Sequence, residues 1–191
     1  MGVLLPAFVD QLLEQGRDPG GIPDIPVAAA TGWLAPLTSR ILSVLDTGTY
    51  RSAGAFLAHG YTYLPVLAKA DCGVYLRVAA KSSMSPWPVD APSVVLVVAG
   101  TTAMEMYQEP DDLRGGRPQY ARSFGAEQVF AVYPGALCAT QSSDDGLQIL
   151  ATNRPPADAD EALSGDEFAA AARRARWMLE SVGSMPAGGR C

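Results

Sequence analysis

The sequence predicts a mainly antiparallel β fold, a sandwich or barrel, flanked by helices. Three observations carry this. Seven short runs rich in β-branched and aromatic residues follow one another at 61–69, 73–81, 93–99, 102–108, 128–133, 136–141 and 147–152. Clusters of Gly, Pro, Asp and Ser separate them, not the helical segments that a parallel sheet requires. Before residue 61 and after residue 163 the apolar spacing changes to helical periodicity.

Taken in order, Leu5, Phe8, Val9, Leu12 and Leu13 mark an amphipathic helix over residues 4–15, ended by Gly16. Residues 16–27 hold Pro19, Gly20, Gly21, Pro23 and Pro26 and read as loop. Leu34, Leu37, Ile41 and Leu45 suggest a second helix that stops by Gly48. Among the β runs, the short breaks at Gly100-Thr101 and Ser143-Asp144-Asp145-Gly146 favour hairpins. The segment 109–124, with Pro110, Gly115, Gly116 and Pro118, reads as an exposed loop bordering a pocket. After the acidic linker 153–163, Ser164-Gly165-Asp166-Glu167 has the spacing of a capping box, and Phe168, Ala171, Ala172, Ala175, Leu179 and Val182 form one stripe. The expected organisation is a single domain: residues 1–60 a helical segment packing on the barrel, 61–152 the barrel, 153–191 linker and C-terminal helix.

A chain of 191 residues with 48% hydrophobic and 18% charged side chains can bury one core and is not disordered. Its net charge of -6 repels phosphate backbones and anionic lipid, so neither nucleic acid nor a membrane is expected as partner. The apolar run Val94 to Ala99 is far shorter than the ~20 residues of a spanning helix. Three cysteines without regular spacing give no disulfide framework, and the first residues lack a basic leader, so a cytoplasmic protein is expected. One histidine and three cysteines exclude a conventional multi-histidine metal site. The Gly-rich phosphate loops, the G-x-S-x-G elbow and the H-E-x-x-H pair are absent. Twelve arginines against two lysines, with abundant alanine, match a high-GC bacterial genome, a setting in which small proteins of specialised metabolism are common.

Two stretches carry a resemblance. Trp87-Pro88-Val89, three residues, Ser93, the run Val94 to Ala99 and Gly100 keep the spacing of the first motif of the cupin superfamily. Tyr133-Pro134-Gly135-Ala136-Leu137-Cys138 keeps the glycine of the second motif and puts Cys138 where that motif has a histidine. Residues 61–152 therefore resemble a cupin jelly-roll barrel, and more loosely the cysteine-dioxygenase-like branch, in which helices also precede the barrel. The resemblance implies that Trp87, Val89, Ser93 and Cys138 stand at the four metal-ligand positions and converge inside the barrel. Trp87 and Val89 bind no metal, so it also implies a barrel without metal or other cofactor. Where the branch has an arginine for a substrate carboxylate, this chain has Tyr63.

The candidate residues each have two readings. His59 is the only imidazole, hence a candidate proton-transfer group, or else a surface or capping residue. Cys138 is a candidate nucleophile if a base such as His59 activates it, or else a buried inert thiol. Trp87 is the floor of an apolar pocket or core packing. Arg77 shares a face with Tyr75 and is either a ligand clamp or a strand-edge residue with its head in water. Tyr63, Tyr75, Tyr107 and Tyr133 can offer phenolic hydrogen bonds and Met84, Met104 and Met106 adaptable wall, or all of them pack; Asp90 is a weaker candidate for an acid role. Arg173, Arg174 and Arg176 form a solvated face or an anion or partner site. Two functions follow: a metal-independent cupin-like protein that binds a small apolar or mixed molecule as a non-redox cyclase, isomerase or lyase, or a non-catalytic binding, sensing or assembly module with a filled barrel, its helices able to join a homodimer.

Overall fold

The computed structural model describes residues 54–69, 72–80, 86–91, 93–107, 117–126, 128–132, 134–135, 137–152 and 161–183. The helices expected at 4–15 and 34–45 lie outside them. Among the described residues, eleven strands form two antiparallel sheets, and one helix follows. The larger sheet holds β1 (Phe56–Ala58), β2 (Tyr61–Lys69), β3 (Cys72–Ala79), β5 (Ser93–Ala99), β8 (Val129–Val132), β10 (Leu147–Thr152) and β11 (Glu161–Ala162) in the order β11-β1-β2-β3-β10-β5-β8. The smaller holds β4 (Trp87–Pro88), β6 (Thr102–Tyr107), β7 (Tyr120–Phe124) and β9 (Leu137–Ser142) in the order β4-β9-β6-β7.

The eight strands β3 to β10 pair in a nested way: β3 with β10, β4 with β9, β5 with β8 and β6 with β7. A long antiparallel ribbon folded over so that successive pairs fall in alternate sheets gives this pattern, which is the jelly roll. The fold class is therefore the expected one, although several local expectations change. Gly100-Thr101 joins β5 to β6, and residues 143–146 join β9 to β10, so both turns carry the chain from one sheet to the other and neither closes a hairpin. The two corners are stitched together: the Thr101 amide donates to Ser143 Oγ at 2.9 Å, and the Ser143 amide to the Thr101 carbonyl at 2.9 Å. Gly100 has a φ of 72°, and a Cβ there would lie 2.4 Å from Ser143 Oγ, so the close approach requires glycine.

The region read as an exposed loop, 109–124, contains β7, whose Ala121, Arg122 and Ser123 face water and so lack a hydrophobic signal. The sheet also extends past 61–152 at both ends. β1 lies in the segment read as helical, and β11 lies in the segment read as linker.

Two apolar layers explain the buried strands. Leu64, Val74, Leu76, Val78, Val94, Leu96, Val98 and Ile149 form the outer face of the large sheet, covered by Ala175, Met178 and Leu179 of α1 (Gly165–Gly183). Phe56, Tyr61, Tyr63, Tyr75, Val95, Val97, Phe130, Met104 and Cys138 pack in the layer between the sheets. Burial on both faces is why β5 reads as a continuous apolar run without alternation. Each fully buried Leu, Val or Met side chain contributes about 1.5–3 kcal/mol to holding these layers. The helix starts as its sequence predicts: the Glu167 amide donates to Ser164 Oγ at 3.3 Å and the Ser164 amide to Glu167 Oε2 at 3.0 Å. Arg174, from the cluster read as a solvated face or an anion or partner site, donates from Nη1 to the Ala79 carbonyl at 2.8 Å and ties the helix to the end of β3.

Candidate functional site

Strand alternation sends Tyr75, Arg77 and Ala79 of β3 to the inner face, together with Gln148 and Leu150 of β10 and Tyr61 and Tyr63 of β2. On the opposite sheet Cys138, Thr140 and Ser142 of β9 and Thr102, Met104 and Met106 of β6 face back across the gap. Two polar groups meet there in an otherwise apolar layer.

The first surrounds Arg77. It occupies a strand flanked on both sides, by β2 and β10, and is 1% exposed, which overturns the reading of a strand-edge residue with its head in water. Its guanidinium carbon lies 3.9 Å from the ring centroid of Tyr61, 5.3 Å from that of Tyr63 and 5.8 Å from that of Trp87. Nη2 donates to Thr140 Oγ1 at 3.3 Å, while Nε has no partner among the described residues. Arg77 is the only charged side chain among the buried residues described. Desolvated cation–π contacts offer about 2 kcal/mol. Burying an ion costs several kcal/mol, so the rings offset only part of it.

The second group is a hydroxyl network. Gln148 Nε2 donates to Thr102 Oγ1 at 2.6 Å and to Ser142 Oγ at 2.8 Å, and the Tyr61 hydroxyl lies 3.5 Å from the same nitrogen. Tyr61 and Ser142 share a hydrogen bond at 3.0 Å, as do Thr102 and Ser142 at 2.9 Å. Gln148 is fully buried, its Oε1 has no partner among the described residues, and its register partner on β3 is Arg77. Sequence reasoning missed Tyr61, Thr102, Thr140, Ser142 and Gln148. A lone glutamine inside the apolar run 147–152 was the available signal.

The structure brings several predicted residues together. Trp87 is the register partner of Cys138, and both pack with Val89 in the inner layer. Tyr63 stacks on Phe56 at 4.7 Å and meets Tyr75 edge-on at 6.1 Å. Ser93 belongs to the other sheet, paired with Thr152 and Val132, and its hydroxyl donates to the Ala91 carbonyl at 3.2 Å. His59 and Gly60 form the two-residue turn between β1 and β2, with φ of 51° and 80°, the mirror-image turn suited to twisted hairpins. The His59 ring stacks on Trp87 at 4.8 Å. Tyr133 and Met84 lie outside the described residues, Asp90 is exposed, and the Tyr107 hydroxyl donates to Glu105 at 2.5 Å.

Electrostatics limit the chemistry available. Cys138 is fully buried, and desolvation pushes its thiol up to about 12 although the nearby Arg77 charge pulls the other way. Neutral pH therefore finds a thiol, not the thiolate a nucleophile needs. A transition metal does not fit these residues either. Trp87 and Val89 supply no donor atom, the Ser93 hydroxyl is engaged with the backbone, and the buried cation Arg77 would repel a metal ion. Among the described residues no cluster of three His, Cys, Asp or Glu side chains could hold one. No described helix is long and apolar enough to cross a membrane.

No family model matches the chain, and no curated protein does. Similar solved structures exist at low identity. KdgF from Halomonas sp. is 14% identical over 53% of this chain and 96% of that chain, with a TM-score of 0.41. Hydroxypropylphosphonic acid epoxidase from S. wedmorenis is 10% identical over 49% of this chain and 50% of its own, with a TM-score of 0.41. The coconut allergen cocosin is 15% identical over 56% of this chain and 30% of its own, with a TM-score of 0.40. The match thus spans half of the epoxidase chain and under a third of cocosin. These are distant likenesses of fold, and the jelly-roll description rests on the strand pairing itself.

Proposed function

We propose that this chain is a metal-independent, cupin-like jelly roll that takes a small molecule of mixed apolar and polar character between its two sheets. The observation that carries the reading is the company of Trp87, Val89 and Cys138 in the inner layer, with Arg77 held among aromatic rings beside them. Such a wall of rings with a few fixed polar groups is the make-up of a small-molecule site. Binding is the activity this interior supports best, because its thiol is protonated and its one imidazole belongs to a turn. Any catalysis it performs would be non-redox, a cyclase, isomerase or lyase step driven by confinement and by the Arg77 charge opposite a developing anion.

The test joins elemental analysis of the purified protein to a thermal-shift screen of small molecules. The expected result is metal well below one equivalent, a melting temperature unmoved by EDTA, and stabilising compounds whose effect disappears in a Trp87→Ala variant that keeps its circular dichroism. A stoichiometric metal whose removal lowers the melting temperature would overturn the reading, as would a screen without a Trp87-dependent compound.

A further inference from the structure

Two buried polar atoms of the inner layer lack partners among the described residues, Nε of Arg77 and Oε1 of Gln148, and these two residues are register partners on β3 and β10. One is a donor that carries positive charge and the other an acceptor. Buried groups of this kind are almost always satisfied, so their joint occurrence on one face marks a place for a group with both complements. No buried acid is described in the layer, so nothing on these strands balances Arg77.

Resting on the small-molecule reading above, we propose that the ligand is a small hydroxy-carboxylate, its carboxylate held by the Arg77 guanidinium and its hydroxyl donating to Gln148 Oε1. A single buried cation matches a single negative charge; a phosphate-like dianion would bring a second charge with no cation to meet it. The planar guanidinium fork fits a planar carboxylate. The carbon skeleton would lie against Tyr61, Tyr63 and Trp87, whose rings already surround the guanidinium. The interior is thus built for an anion where a metal-binding barrel is built for a cation.

The experiment uses the full chain with three probes of nearly one shape, glycolate, acetate and glycolamide, at constant ionic strength up to tens of millimolar. Melting temperature and calorimetric Kd are the readouts. Glycolate is expected to stabilise saturably, acetate to bind about two- to ten-fold more weakly for want of one hydrogen bond, and glycolamide not to bind. Arg77→Met should weaken glycolate about ten- to hundred-fold. Gln148→Glu supplies a carboxylate beside Arg77 from the chain itself, and should raise the ligand-free melting temperature while abolishing the response to glycolate.

Equal binding of glycolamide and glycolate overturns the proposal, as does an unresponsive wild type or a glycolate shift that survives Gln148→Glu. If Arg77→Met does not fold, the wild-type ranking and Gln148→Glu decide. Failure of all three probes alongside Trp87-dependent binding of neutral compounds would remove the anion proposal and leave the small-molecule reading standing.

Discussion

The guanidinium of Arg77 rests 3.9 Å from the ring centroid of Tyr61, and the Tyr61 hydroxyl in turn holds Ser142 at 3.0 Å. One side chain thus serves the cation with its face and the hydroxyl network with its edge. Tyr61→Phe keeps the face and loses the edge, so it should cost about 1–2 kcal/mol in urea unfolding, the range for a buried hydrogen-bond partner. Tyr61→Leu loses both and should cost more, because it also exposes Arg77 to an apolar neighbour without quadrupole. Equal losses in the two variants would mean that the ring contributes packing alone.

Cys138 gives a pH prediction. Its thiol is raised to about 12 by burial, against an ordinary thiol value near 9, so the unfolded chain loses this proton first as pH rises. The stability it contributes is complete below pH ~9 and fades between there and pH ~12. Alkaline unfolding of Cys138→Ala should show a shallower limb than the wild type. Peptide mapping after iodoacetamide at neutral pH should find Cys138 unmodified in the folded protein and modified in urea.

At the helix start, Ser164→Ala should destabilise by ~1 kcal/mol in denaturant unfolding. Its partner Glu167 has a carboxyl held below the ordinary range by the Ser164 hydroxyl and amide. A lowered value means that this support is present above the unfolded carboxyl's pKa and disappears as pH falls through the folded one. The difference between wild type and Ser164→Ala should therefore shrink in acid and be full at neutral pH.

Gly100→Ala tests the corner between β5 and β6. Its left-handed φ of 72° would cost a side chain about 1–3 kcal/mol, and the new Cβ would press on Ser143 and Asp145. Gly135→Ala shares the unfavourable φ, at 93°, but meets open space, so it should destabilise less. Thermal unfolding of the pair separates the steric part from the backbone part.

Much of the fold was legible because β-branched density does not depend on which sheet a strand joins. Val94 to Ala99 and Leu147 to Thr152 announce themselves as strands by composition. Their partners do not, since Gly100-Thr101 looks locally like a hairpin break whether the next strand pairs beside it or crosses to the other sheet. Strand β7 was invisible because Tyr-Ala-Arg-Ser-Phe turns most of its side chains to water. In the site, Trp87 and Cys138 were brought together by motif spacing, which encodes register. Arg77 and Gln148 were harder: a polar residue in an apolar run reads as an edge or an interruption, and only the third dimension shows that strands close over both. Ser93 kept the motif's spacing, yet its hydroxyl is satisfied by Ala91 two residues away.

The nested pairing of the jelly roll also bears on how the chain reaches this state. Within β3 to β10, β6 and β7 form the innermost pair and β3 and β10 the outermost, and the β1–β11 pair spans a still longer separation in sequence. Loop closure over such separations is slow, and topologies dominated by non-local pairing fold over milliseconds to seconds. β10 contributes Gln148 to the interior, so the hydroxyl network and the seat of Arg77 are complete only once β10 has paired with β3 and β5. Desolvation of the Arg77 guanidinium is thereby coupled to a pairing between strands far apart in sequence, not to a local turn.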